Sequence, residues 1–285
     1  MKEIASDIYI ETAFAGVMLA AIRLPHGVVF IDSPLLNHDA QAWRASFNRP
    51  GSSSDRLLIL LDEHPDRSIG AKAMKCTTIA HEKAAIVLSN RPISGKPAAM
   101  TGSIWEHTED LGSIHWLQPE ITFTHSMFIN WGEEPIELEY RGGPSKGAAW
   151  VIVPSQKVLF VGDAVLLKQP PFLASADLEA WLETLNQLHS AKYRDFILIS
   201  GRGELITQED IKIQINFLKQ TQTGLKKMAR HNAEPNELER LAFELAKEFP
   251  SHNKKEEEIF KVRLSWGVMQ NYNNHFQPSR QMVEQ

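Results

Sequence analysis

Residues 57–71, LLILLDEHPDRSIGA, constrain the fold of this chain more than any other stretch. Positions 57–61 form an unbroken apolar run with the length and composition of a buried strand. The run ends in four close-set polar side chains, Asp62, Glu63, His64 and Asp66. Pro65 forces His64 out of the helical region and starts a turn, and Asp66 is placed to cap a helix predicted over 68–74. A strand that feeds a polar loop into a helix N-terminus is where α/β proteins commonly place their chemistry. With Asp62, His64 and Asp66 at alternating positions, three potential metal ligands can converge from one short loop.

The rest of the chain supplies strands on both sides of this loop. Residues 7–31 alternate apolar runs (8–10, 17–22, 28–31) with turn signals, a meander of strands. A helical spacing follows over 39–47, and the loop 51–54, GSSS, resets the chain for the strand at 57. Beyond it come a short strand at 77–80, a mixed region over 84–111 containing Ser94-Gly95-Lys96-Pro97, and strand pairs around 121–123 and 136–140. Residues 149–153 and 158–161 flank Pro154-Ser155-Gln156 as a hairpin, and its second strand runs into Gly162-Asp163. An acid placed directly after a buried strand must face either water or a cation.

The sequence 175–188 carries Leu178, Trp181, Leu182, Leu185 and Leu188 on one helical face, and 196–199 is a further buried strand ending in Ser200-Gly201-Arg202-Gly203. From Thr207 the pattern is wholly helical: Thr207 caps a helix with Ile211, Ile215, Leu218 and Leu225 in line, Pro235 opens a second, and 254–274 aligns Ile259, Val262, Trp266 and Met269. Three such stripes cannot bury themselves. The chain therefore divides into a main domain over 1–205 and a helical extension over 206–285 that packs on it or forms a homodimer contact.

With 285 residues, 43% of them apolar and 23% charged, the chain has ample material for a core. The net charge of −5 favours neither nucleic acid nor an anionic membrane as partner. One cysteine, Cys76, excludes an internal disulfide and any cysteine-rich zinc site. The first residues, MKEIASDIYIE, are charged where a signal peptide would be apolar, and no apolar run approaches a membrane span; a cytoplasmic protein is expected.

The loop at 62–70 resembles the signature of the metallo-β-lactamase superfamily, a strand followed by H-x-H-x-D-H. His64 and Asp66 keep the second His and the Asp; Asp62 stands at the first His and Arg67 at the last. Residues 141–163 look like the G-H-[ST]-x-G loop, hairpin and terminal G-D of that family, with Gly143, Ser145, Gly147 and the bridging Asp163 in place and Pro144 at the ligand His. The strand ending at 199 leads into Gly201-Arg202-Gly203 where the family has G-H-G. The resemblance spans roughly 5–205 in the right order. It implies an α+β fold, an αββα sandwich of two mixed β-sheets flanked by helices, with the site at one edge of the sheets.

The same comparison implies a depleted metal site. The usual first site needs three His and here finds Asp62, His64 and Pro144; the second finds Asp66, Arg67, Arg202 and Asp163. A guanidinium is cationic at any physiological pH and offers donors where imidazole offers a lone pair, so it cannot ligate a metal. Arg67 and Arg202 are instead expected to lie side by side, pairing with Asp66 and Asp163 in place of the second metal. Two readings follow, and whether the chain is an enzyme stays open between them. In the first it is a non-catalytic or diverged hydrolase-like protein, a pseudoenzyme holding a small anionic ligand with Arg67, Arg202 and Ser145. In the second it is a mononuclear hydrolase of a thioester, lactone or phosphodiester, with Zn, Mn or Fe on Asp62, His64 and Asp163 and Asp66 as general base. A two-zinc centre is not expected.

Overall fold

Hydrophobic alternation lays down the first sheet in chain order. In this computed structural model, which describes residues 1–48, 55–91, 100–109, 111, 114–203 and 205–277, strands β1 (Lys2–Ala5), β2 (Ile8–Glu11), β3 (Leu19–Leu24) and β4 (Gly27–Ile31) form an antiparallel meander. Helix α1 (Asn37–Ala45) then crosses to β5 (Arg56–Ile59), which pairs parallel to β4. Two single-turn helices, α2 (Pro65–Ser68) and α3 (Ala71–Met74), lead to β6 (Thr77–His81), and α4 (Glu82–Ser89) begins the crossing to β7 (Ile121–Phe123), both strands again parallel. Parallel neighbours need such crossovers. The seven strands stand in sequence order.

The second sheet runs β8 (Ser126–Ile129), β9 (Ile136–Tyr140), β10 (Ala149–Val153) and β11 (Val158–Phe160) as antiparallel neighbours. Helix α5 (Leu178–Leu188) carries the chain to β12 (Ile197–Ile199), parallel to β11, and β13 (Leu205–Ile206) closes the sheet edge. Inward residues of both sheets, among them Ile22, Val29, Ile59, Val151, Phe160 and Ile199, form one core between them. Helices α1, α3 and α4 cover the outer face of the first sheet, where Phe30, Trp43 and Phe47 meet edge to face. The outer face of the second sheet is covered by α5 and by three C-terminal helices, α6 (Gln208–Arg230), α7 (Pro235–Ala246) and α8 (Lys254–Phe276). The result is the expected αββα sandwich with a helical extension packed on it.

Three details differ from the sequence reading. The helix predicted over 68–74 is broken into α2 and α3 because the chain turns at Gly70 to pass against the strap after β4; a Cβ there would land on the Pro34 carbonyl oxygen. Strands β7 and β9 do not pair with each other, since they belong to different sheets. The buried face of α8 is Ile259, Phe260, Arg263, Leu264, Gly267, Val268, Asn271 and Tyr272; of the expected stripe it keeps Ile259 and leaves Val262, Trp266 and Met269 half-buried, because polar Arg263 and Asn271 are drawn in by loop carbonyls. The loop 51–54 and the segment Ser94-Gly95-Lys96-Pro97 lie outside the described residues. Among the described residues no helix is long and apolar enough to cross a membrane.

Candidate functional site

Four strands end at one edge of the sandwich, and each delivers a charged side chain just past its last paired residue. β4 delivers Asp32, β5 delivers Asp62 and the turn that follows, β11 delivers Asp163 and β12 delivers Arg202. These four side chains and Arg67 are all buried. Pro65 holds His64 extended, at φ −62° and ψ 135°, as the sequence requires. The cap, however, is His64, whose Nδ1 accepts the Asp66 amide at 3.3 Å. Asp66 does not cap α2; its carboxylate turns to the single 3₁₀ turn Ile104–His107 and accepts the Trp105 amide at 2.9 Å.

The two arginines knit the carboxylates together. Arg202 Nε donates to both oxygens of Asp163 at 3.1 and 3.0 Å, Nη1 to Asp66 at 2.6 Å and to the Gly16 carbonyl at 2.8 Å, and Nη2 to His64 Nδ1 at 2.7 Å. Arg67 Nη2 donates to Asp163. Its Nε lies 3.2 Å from Asp62 and its Nη1 3.3 Å from Asp32. The two arginines together thus engage Asp66 and Asp163, but unequally: Arg202 takes both, whereas Arg67 takes Asp163 along with Asp62 and Asp32 and leaves Asp66 aside. The backbone explains the difference: Ser33 bonds the Arg67 carbonyl through both its amide and its hydroxyl, which fixes Arg67 on the Asp32 side of the turn. Asp32 was missed as a site residue, although it obeys the rule applied to Asp163, an acid directly after a buried strand.

Electrostatics follow from this burial. Burial pushes the Asp163 carboxyl up, but Arg202 and Arg67 outweigh it and hold the group below the usual carboxylate range. At Asp32 burial wins over the pull of Arg67 and raises the carboxyl to about 7. Asp62 is also raised, by burial against the opposing pull of Arg67. His64 is held well below its ordinary value by burial and then by the charges of Arg202 and Arg67, so it is neutral.

Asp32 gives a pH prediction. Its ordinary unfolded value is near 4, so between about pH 4 and 7 the folded state binds a proton that the unfolded state lacks. The stability this group contributes is complete below about pH 4 and is lost as pH rises to about 7. Asp32→Asn is expected to flatten that slope, improving stability relative to the parent at pH 8 over pH 5 by up to about 3 kcal/mol. Parallel urea-unfolding profiles for the two proteins across that range would contradict it.

Ser103 Oγ lies 3.3 Å from His64 Nε2, and Asp66 lies 3.6 Å from Nδ1, an array that looks like a Ser-His-Asp triad. The donors rule that role out. Arg202 and the Asp66 amide both donate into Nδ1, so the proton of neutral His64 sits on Nε2. A triad needs the opposite tautomer, with Nε2 free to accept the serine proton.

As placed, the residues also do not fit a bound metal. Both Asp163 oxygens and His64 Nδ1 are taken by guanidinium groups, and Arg67 bridges Asp62 to Asp163 where a shared cation would sit. Among the described residues no three His, Cys, Asp or Glu side chains gather into a group able to hold a metal ion.

Beside the buried network lies a cavity of about 210 Å³. Asp62, Glu63, His64 and Asp163 reach it from the network, and Pro144, Ser145 and Lys146 form part of its wall. Gly143, at φ 125°, lets that wall lean on α5, since any Cβ there would land on the Trp181 backbone. Arg67 and Arg202, expected to contact a ligand, do not line this space, whereas Arg91 does. The Phe172 ring lies against the His64 ring, tilted by 53° with centroids 4.3 Å apart, and the guanidinium groups of Arg202 and Arg263 sit over it at 4.6 and 4.0 Å. Arg263, from α8, donates to the carbonyls of Gly102 and Pro170, so the extension reaches the cleft. None of Phe172, Arg91 and Arg263 belongs to a motif, and no signal in the sequence marks them.

The sequence matches no family model and no curated protein. Solved structures do match. A metallo-β-lactamase from Pontibacter korlensis aligns at a TM-score of 0.59 and 18% identity, covering 76% of this chain and 97% of that one. A metallo-β-lactamase from Hirschia baltica aligns at 0.59 and 14% identity, covering 76% and 96%, and the DIM-1 metallo-β-lactamase at 0.59 and 18%, covering 76% and 95%. At such identities the likeness is one of fold.

Proposed function

We propose, from the metallo-β-lactamase fold of this chain, that it is a non-catalytic or diverged hydrolase-like protein in which two guanidinium groups stand where a metal centre would lie and the remaining cleft binds a small anionic ligand. The observation that carries this reading is Asp163, which matches the metal-bridging acid of the resembled family and here spends both oxygens on Arg67 and Arg202. A guanidinium neutralises carboxylates and donates hydrogen bonds. It has no open coordination position and cannot acidify a bound water as a metal does.

Protein purified without chelator is expected to carry well under one equivalent of zinc by elemental analysis; a reproducible two metals per chain would overturn the reading. The mononuclear hydrolase built on Asp62, His64 and Asp163, with Asp66 as base, needs atoms that Arg67 and Arg202 already engage. It would announce itself as one retained metal, with thioesterase, lactonase or phosphodiesterase activity, both lost in His64→Ala.

A further inference from the structure

We propose that the ligand of this cleft is a small monocarboxylate with an apolar body, and that it is held by Arg91, Ser145 and Lys146 rather than by the buried arginine pair; this rests on the reading of the cleft as an anion site. Groups beside the cavity divide into those with partners and those without. Asp163 is committed to Arg67 and Arg202, and the two Glu63 oxygens accept the Lys146 and Gly147 amides at 3.2 and 3.1 Å. On the opposite account, Arg91 Nη1 is buried with no acceptor and Ser145 Oγ is buried with no partner. Among the described residues neither Arg91 nor Lys146 has a carboxylate within 4.0 Å. Buried donors without acceptors are uncommon in native proteins and mark a missing partner.

Position strengthens the case. Arg91 and Lys146, with Val87, line both this cavity and a second one of about 440 Å³ along α4, so the two cations stand at the threshold between them. The Arg91 guanidinium lies over the Trp116 ring at 4.4 Å, which orients its plane. A planar fork held in one orientation suits the two oxygens of a carboxylate. Val87, Pro144, Phe172 and Trp181 interleave with the polar His64, Asp163 and Ser175 in the remaining wall and give the apolar body of the ligand its contact surface. Asp62 and Glu63 in the lining disfavour a second negative charge, which selects a monoanion over a phosphate dianion. At about 210 Å³ the cavity is smaller than those that take drug-sized molecules, so the ligand is of the size of benzoate or hexanoate.

The test uses the full chain, with benzoate, hexanoate, uncharged benzyl alcohol and inorganic phosphate titrated by calorimetry and by amide chemical-shift perturbation. Benzoate or hexanoate is expected to bind with a Kd on the order of 1 mM or below. Benzyl alcohol and phosphate are expected to bind at least about tenfold more weakly. Arg91→Gln should weaken carboxylate binding about tenfold or more, and Ser145→Ala and Lys146→Gln keep the question answerable if Arg91→Gln does not fold. Carboxylate or phosphate binding in the cleft that ignores all three substitutions would overturn this assignment and leave the anion-site reading standing. Absence of any anion binding at about 10 mM would overturn both.

Discussion

Arg67→Met is expected to destabilise the protein by about 3–5 kcal/mol, because it removes one cation from among three buried carboxylates. Asp163 loses one of its two guanidinium donors, and Asp32 and Asp62 lose the positive charge nearest to them. Methionine fills much the same volume, so the effect isolates charge from packing. For a chain of this size such a loss lowers the melting temperature by roughly 6–20 °C. The cost should shrink toward acid pH, where Asp32 and Asp62 take up protons, and in the Arg67→Met, Asp163→Asn double variant, where fewer charges are stranded. A loss below about 1 kcal/mol would mean that the arginine does not neutralise the cluster. Replacing a whole buried ionic set by apolar residues is often harmless, so the prediction concerns the unmatched partner and not the intrinsic worth of an ion pair.

Arg263→Met is expected to act more locally. In the native protein Nε and Nη2 donate to the Gly102 carbonyl at 2.9 and 2.8 Å, and Nη1 donates to Gln169 and to the Pro170 carbonyl, both at 3.0 Å. No carboxylate among the described residues lies within ion-pair distance, and burial followed by repulsion from Arg202 lowers the guanidinium to about 9. Removing it strands two buried carbonyls, which costs about 2 kcal/mol or more, partly offset because a buried cation is removed with its bonds. The clearer signature is hydrogen exchange. Amides of 100–107 and 171–176 should exchange at least about tenfold faster while β10 and β11 keep their protection. Unchanged exchange in both loops would show that α8 does not hold them.

The fold was legible because it is written in short apolar runs: the strands at 28–31, 57–61, 149–153 and 196–199 are found within two residues of where composition puts them. The convergence of Asp62, His64, Arg67, Asp163 and Arg202 was legible through motif spacing. Which carboxylate each arginine would choose was not, since that depends on a serine, Ser33, thirty-four positions before Arg67 that anchors its carbonyl. Polar residues that bury to serve loop carbonyls also escape pattern reading. Arg263 and Asn271 interrupt the apolar stripe of α8 and read as solvent-facing, yet they are among its most buried positions. The break at Gly70 belongs to the same class, because the carbonyl that excludes a side chain there comes from another segment.

The bond from Arg202 to the Gly16 carbonyl joins residues 186 positions apart. A ribosome adding about 5–20 residues per second takes roughly 10–40 s to make the second partner after the first. During that interval Asp32, Asp62 and Asp66 are made without Arg202, and the Gly16 carbonyl lacks the guanidinium it accepts from. Helix α8 comes later still, so the Gly102 loop waits for it before Arg263 can fasten the loop. Synthesis therefore releases Arg202 only after β1–β12, and Arg263 later still. A nascent chain stalled before Arg202 would present an acidic, open edge to whatever chaperone or cation it meets.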